Sequence, residues 1–344
     1  MNKTVFPAGA VGGCAVFIIL LFAVEMRAQN EWNIVWDDEF NQPDGSVPDP
    51  TKWGYETGRG GWGNNELEYY TSRTNNARIE GGQLVIEANQ ESYGGSSYTS
   101  ARMLTKGKWS WTYGRMEARI KIPRGQGIWP AFWTLGANID SVSWPTCGEI
   151  DIMENIGKTS DQGTAHGTIH GPQSGGDYNG GSGVGGTYTL QGGATLAADF
   201  HIFAVEWTTN QIKWFVDTNL YFTATPASLP SNSTWVFTQP QFLLLNIAVG
   251  GNWPGNPDGT TLFPQQMLVD YVRVYEQTAP LRISTTQTNG GFVLSWPANI
   301  VCHLQTQTNS LASGNWSDLS RTTNPFVIAP DSNQTNVFYR LESP

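Results

Sequence analysis

Gly148-Glu149-Ile150-Asp151-Ile152-Met153-Glu154 alternates acid with hydrocarbon from Glu149 to Ile152 and then breaks step. In an extended strand successive side chains point to opposite faces, so Glu149 and Asp151 share one face and Ile150 and Ile152 the other. Strict alternation would put Met153 among the acids and send Glu154 into the apolar side. A buried, unpaired carboxylate is costly. One extra residue in a β-bulge around Ile152–Met153 restores the parity and returns Glu154 to the face of Glu149 and Asp151. The segment therefore reads as a strand with an apolar face and an acidic face, in a sheet that covers a core.

The same period of two recurs outward from this strand. Gly82–Ala88, Gly114–Ile122, Phe203–Trp207, Ile212–Asp217, Phe242–Val249 and Val269–Tyr275 all read as strands separated by Gly, Asn and Pro turns. Helical periods longer than two turns are scarce. Short strands in this order predict an all-β chain built as a large antiparallel β-sandwich. Gly175–Gly186, glycine-rich with Asp177, Tyr178 and Asn179 among the glycines, fits either a surface loop or a mobile rim on a cleft.

Length and composition bound what these strands build. A chain of 344 residues holds one large domain, or one large and one small. With 15 Trp, 12 Tyr and 15 Phe and only 14% charged residues, it has ample apolar surface for a core. A net charge of −10 argues against non-specific nucleic-acid binding, because phosphates would be repelled.

Near the start, Lys3 precedes an almost continuous apolar run, Val11–Val24, and Ala28 offers a small residue at a cleavage point. The run is short for a membrane span, so residues 1–28 read as a signal peptide, and the expected location is secreted, periplasmic or at the cell surface. A lipoprotein reading at Cys14 is disfavoured because the apolar run follows that thiol. Past the signal, Cys147 and Cys302 make no disulfide framework and are expected as free thiols; no Cys/His cluster has zinc spacing. Near Thr278–Pro280 the pattern changes to a Thr/Asn/Ser-rich stretch. Residues 29–278 are expected to form the main domain and 279–344 a small β-module of uncertain role. Its Trp296, Trp316 and Tyr339 fit a core better than a binding face.

The acidic strand carries the chemistry. With the bulge absorbing one residue, the two Glu Cα atoms lie roughly 13 Å apart, and side chains leaning together bring the carboxyls to about 5–6 Å. That separation suits a retaining glycosidase, in which one carboxylate attacks the sugar and the other serves as acid, then base. Asp151 between them would hold a proton or hydrogen bond and keep their pKa values apart.

Further stretches accompany the acidic strand. Trp36–Phe40, Gly61–Thr71, Gly127–Trp133, Thr168–His170, Gly250–Gly255 and Asp270–Tyr275 follow one another in order. Together with Gly148–Glu154 they resemble glycoside hydrolase family 16, in its laminarinase-like branch of endo-β-1,3-glucanases, over about residues 31–276. The inserted Met153 is similar to that branch.

The resemblance implies a jelly-roll sandwich with a substrate cleft on its concave face, Glu149 as nucleophile, Glu154 as acid/base and Asp151 as assisting aspartate. It implies Trp129, Trp133 and Trp253 as sugar platforms, and Asn64 or Asn65, Arg102 and His170 as partners of sugar hydroxyls, with His170 able to donate either to the sugar or to Asp151. No cofactor is required. A structural calcium, common in that family, would be held by main-chain oxygens of Glu39 and Gly82 and by the Asp270 carboxylate. The expected partner is a β-1,3-glucan, with no nucleic acid and no membrane span, and the chain is expected to be a monomer. The competing readings are a non-catalytic β-glucan recognition protein, which would lack the glutamates, and a hydrolase of mixed-linkage glucan, xyloglucan or a marine galactan. Sulfated galactans would want a basic cleft, which this chain has few Lys and Arg to supply.

Overall fold

The computed structural model describes residues 32–277 and, beyond them, 283–288, 291–296, 303–308, 316–319, 324–328 and 337–342. The expected signal peptide, the boundary at 278–280 and Cys302 lie outside the described residues. No helix among the described residues is long and apolar enough to cross a membrane.

Trp32–Gln277 forms one compact unit, a jelly-roll sandwich of a ten-stranded and a seven-stranded sheet. The alternating segments all become strands, several longer than their apolar runs, such as Gln83–Tyr93, His201–Thr208 and Gln265–Gln277. Their inward residues, among them Ile86, Met116, Phe203, Trp207, Val272 and Val274, meet Phe132, Ile150, Leu243 and Leu245 of the other sheet in a single core.

From edge to edge the seven-stranded sheet runs Val184–Thr189, Thr164–His170, Glu149–Glu154, Ile128–Gly136, Gln241–Val249, Arg102–Leu104 and Gly54–Glu56. All its neighbours are antiparallel. Gln241–Val249 is buried along its whole length. Leu243, Leu245, Ile247 and Val249 enter the main core, while Phe242 and Leu244 join Leu104, Leu135 and the free thiol of Cys147 in a smaller cluster on the opposite face.

The acidic strand lies near the middle of this sheet, and its register contains the expected irregularity. Toward Ile128–Gly136, Asp151 faces Trp133 and Met153 faces Phe132, so Ile152 is the extra residue. Toward Thr164–His170, Asp151 faces Thr168 and Glu154 faces His166. Ile152 and Met153 are both fully buried in the core, and Glu154 emerges on the side of Glu149. A bulge interrupts the ladder, and here the opposite sheet supplies a partner: Trp214 Nε1 donates to the Asp151 carbonyl at 2.8 Å. Gly167 makes room for that indole, since a Cβ there would stand 2.4 Å from Trp214 Cδ1.

The glycine-rich stretch is anchored at both ends. Pro172–Gln173 pairs with Gly176–Asp177, Tyr178 is fully buried with its hydroxyl donating to the Thr234 carbonyl, and Val184–Thr189 forms the sheet edge. Neither a plain surface loop nor a wholly mobile rim describes it: positive φ at Gly175, Gly176, Gly180 and Gly181 turns the chain so that Asp177 and Tyr178 face inward.

The described residues beyond 283 belong to a separate small β unit. Ser284–Thr288, Gly291–Ser295 and Phe326–Ile328 make one sheet, and Ser317–Asp318, His303–Gln307 and Phe338–Glu342 another. Leu294, Leu304 and Leu341 are its core, with Trp296 and Tyr339 packed against them. Trp316 instead lies 4.6 Å beneath the Arg340 guanidinium.

Replacing Trp214 with Phe removes the indole N–H from the buried bulge. The lost bond is expected to cost about 1–3 kcal/mol of stability, read as a lower urea midpoint. An unchanged midpoint would mean the bulge stands without its cross-sheet partner.

Candidate active site

Three carboxylates share the outward face of Glu149–Glu154. Asp151 is buried, and Glu149 and Glu154 are partly buried on either side of it. Each outer acid is held by an indole. Trp144 Nε1 donates to Glu149 Oε2 at 3.0 Å, and Trp129 Nε1 donates to Glu154 Oε1 at 2.9 Å. On the neighbouring strand His170 lies opposite Glu149 and His166 opposite Glu154. An oxygen of Glu149, an oxygen of Asp151 and a nitrogen of His170 all lie within 4.8 Å of one another.

Burial sets the protonation of this group. It pushes Glu149 above its ordinary value, against the opposing charges of His170 and Arg102 and the Trp144 bond. Burial, reinforced by the charges of Glu149 and Glu154, holds Asp151 well above the carboxylate range. Glu154 is raised to about 7 by burial and by the charge of Glu149, against His170 and the Trp129 bond. Burial and the neighbouring charges thus favour the protonated form of Asp151, and Glu154, near 7, is poised to give or take a proton.

The walls come from neighbouring strands. Trp129 and Trp133, four residues apart on Ile128–Gly136, stand on the acidic face with Ala131 between them. Trp133 Nε1 donates to Asn246 Oδ1 at 2.7 Å, Asn246 Nδ2 donates to the Tyr70 hydroxyl at 3.1 Å, and Tyr70 donates to Glu66 Oε2 at 3.1 Å. The Arg102 guanidinium stacks 4.6 Å from the Trp133 ring and 5.0 Å from Trp62, with its Nε donating to Glu56 at 2.6 Å.

At the other end, Trp253 meets Trp129 edge to face at 5.6 Å and His166 at 4.9 Å. The loop bearing Asn64 and Asn65 clasps the Trp253 loop: Asn65 Nδ2 donates to Asn252 Oδ1 at 2.8 Å, and the Asn64 carbonyl accepts from the Asn252 amide. Asn64 Nδ2 turns toward Glu66 at 3.4 Å.

The expected site residues thus gather around one face, apart from the calcium positions. Asp270 Oδ2 accepts from Arg119 at 2.8 Å, and the Glu39 carboxylate is held by Arg273 through both oxygens. The arginine occupies one of Asp270's two carboxylate oxygens. Glu39 and Gly82 were expected to contribute only main-chain oxygens, so these ion pairs neither fill nor complete a metal site. Hard oxygens of this kind suit calcium.

Four residues of the site were not anticipated. Trp144 sits in an irregular loop, where no period points to it. Asp177 is hidden in the glycine-rich stretch. Asn246 was visible in principle as the lone amide in Leu243-Leu244-Leu245-Asn246-Ile247, where a buried polar group calls for a partner. His166 shares a strand face with His170, four residues on.

Residues 64–273 match the profile of the family described as Glycosyl hydrolases family 16. A β-glucanase from Rhodothermus marinus is 44% identical over 287 residues, covering 80% of this chain and 94% of that protein. A glucan endo-1,3-β-glucosidase from Cryptopygus antarcticus is 38% identical over 254 residues, covering 69% of this chain and 87% of that protein. The laminarinase catalytic domain from Thermotoga maritima aligns with a TM-score of 0.67 at 49% identity, over 72% of this chain and 100% of that one.

The Trp129 bond favours the ionised form of Glu154, so its loss should raise that carboxyl. In Trp129→Phe the Glu154 titration, followed by carbon NMR of labelled glutamate, is expected to move upward from about 7. A shift downward, or none, would show that the indole does not set its acidity.

Proposed function

The chain belongs to family 16 of the glycosyl hydrolases, and from that membership we propose how it works: it hydrolyses internal β-1,3-glucosidic bonds of laminarin-type glucans with retention of configuration, using Glu149 as nucleophile and Glu154 as acid/base. The observation that carries the residue roles is the pair of indole-held carboxylates on one face of one strand, on either side of a buried aspartic acid.

In the first step a Glu149 oxygen attacks the anomeric carbon while Glu154 delivers its proton to the departing glycosidic oxygen. The C–O bond to the leaving sugar breaks and an ester to Glu149 forms. In the second step Glu154 takes a proton from water, the water oxygen attacks the same carbon, and Glu149 leaves as carboxylate. Two inversions give net retention.

Glu154 near 7 supports its part, because a catalytic acid works best with a pKa close to the working pH. Trp144 fixes one Glu149 oxygen and leaves the other for attack. The Asp151 proton lies beside Glu149 and favours the charged nucleophile. The C–H faces of glucose would stack on Trp129 and Trp133, while Asn64, Asn65 and Arg102 meet hydroxyls and His170, with its two ring nitrogens toward Asp177 and Asp151, serves the acids instead. Trp253 extends the wall. Calcium at Glu39, Gly82 and Asp270 would brace the fold, and no cofactor enters the reaction. A polymeric substrate cannot cross a membrane, which supports reading residues 1–28 as a signal for export.

Glu149→Gln keeps the shape and removes the nucleophile's charge. Its turnover of laminarin is expected to fall by at least about 10³-fold, with native circular dichroism. In the wild type, proton NMR of fresh digests should show the β-anomer before the α. Near-normal turnover by the variant, or the α-anomer first, would overturn the assignment. Product masses from laminarin, mixed-linkage glucan and agarose, compared side by side, test the linkage.

A further inference from the structure

Asp177 is a buried carboxylate that the reaction as described does not use. Its two oxygens are both engaged. Oδ1 accepts from the Gly171 amide at 2.9 Å, and Oδ2 meets His170 Nδ1 at 2.5 Å. The other ring nitrogen of His170, Nε2, stands 3.5 Å from Asp151 Oδ2. That oxygen is itself buried without a hydrogen-bond partner. A line of groups therefore runs from the Gly176–Asp177 hairpin strand through His170 to the centre of the acid trio.

Resting on the proposed hydrolase mechanism, we infer that Asp177 is a positioning residue for it: by binding Nδ1 it keeps the His170 ring doubly protonated and aimed at Asp151, so that the trio holds a carboxylate at Glu149 and a transferable proton at Glu154.

The argument is electrostatic. Facing the ring are Glu149, Asp151 and Glu154 from the next strand and Asp177 from the hairpin, with Arg102 the further cation acting on Glu149. A ring nitrogen bound to a carboxylate is a donor, which leaves Nε2 to be donor or acceptor. The neighbouring acids decide for donor. Burial by itself would lower His170, yet the Asp177 bond and the charges of Glu149 and Glu154 raise it to about 9. The resulting cation in turn holds down both Glu149 and Glu154. Asp177 makes no hydrogen bond to either outer acid, and its own charge, a smaller effect than that of His170, pushes Glu149 upward. What it does to hold the acids down it does through the histidine, in the way a buried aspartate orients and charges a catalytic imidazole elsewhere.

Asp177→Asn tests this with little change of shape, since the amide oxygen is still able to accept from Gly171. A neutral His170 no longer lowers Glu149 and Glu154, and this outweighs the loss of Asp177's own smaller upward push on Glu149, so both limbs of the pH–rate bell on laminarin are expected to move up, by about one pH unit. Activity on the acid side should fall about tenfold, with KM near normal. A purely structural role would scale the bell down without displacing it, and an unmoved bell overturns the inference.

The second arm needs neither a variant nor substrate. Nitrogen NMR of labelled histidine in the wild-type protein should find both His170 nitrogens protonated at pH 7.5. A neutral ring there overturns the inference even if Asp177→Asn fails to fold. Absence of any laminarin hydrolysis by the wild type would instead count against the proposed function, while the NMR arm still decides the state of His170.

Discussion

The acidic strand has to satisfy two demands that ordinary pleating sets against each other. It must bury hydrocarbon against the opposite sheet, and it must present acids on both sides of one point in the cleft. One extra residue resolves this. Ile152 and Met153 both enter the core, so the strand is anchored by two neighbouring side chains, and Glu154 still returns to the side of Glu149. The ladder is interrupted there, and the Trp214 indole, admitted by Gly167, binds the carbonyl of Asp151. A tryptophan on the far sheet thereby fixes the backbone of the residue at the centre of the acid trio.

Gathering three carboxylates on a shielded face carries an electrostatic cost, and the surroundings are arranged around it. Desolvation disfavours each charge, and each carboxylate repels the others. Asp151 answers by favouring its protonated form, Arg102 and His170 by supplying positive charge, and Trp129 and Trp144 by giving an N–H to each outer acid. The chain of donors from Trp133 through Asn246 and Tyr70 to Glu66 runs in one direction and fixes the indole that lies across the strand from Asp151. Each link orients the next, so the polar groups of this wall form one connected network, and partly satisfied networks of that kind are unstable.

What the sequence disclosed follows from the periods it carries. Alternation located the strands, and the break of alternation at Ile152–Met153 revealed the bulge, because a buried Glu154 would be too costly. Trp129 and Trp133 were legible because four residues along a strand means one face. Trp144 was not, since it reaches Glu149 from an irregular loop with no period of its own. Asp177 was masked by the glycines around it: composition suggested a loop, while positive-φ turns in fact bring the carboxylate seven residues back to His170. The lone amide of Asn246 in an apolar run was a signal of burial, although its partners, Trp133 and Tyr70, lie 113 and 176 residues away in the chain. Long-range pairs of this sort leave no local trace.

In the proposed mechanism the distribution of charge also explains how one carboxyl would serve first as acid and then as base. In the resting site the negative charge of Glu149 helps raise Glu154 to about 7, so Glu154 enters the reaction holding a proton. When Glu149 forms an ester with the sugar its charge disappears, and that contribution disappears with it. Glu154 has at the same moment given its proton away, and the field left behind is dominated by the His170 cation, which favours the ionised form. Glu154 is then a carboxylate able to take a proton from water. When water displaces the sugar, Glu149 recovers its charge and Glu154 is again driven to hold a proton. The switch needs no movement of the strand. It needs a fixed cation close to both acids and a pair of glutamates near enough to repel, and the extra residue between them lets a single strand supply both glutamates on one face.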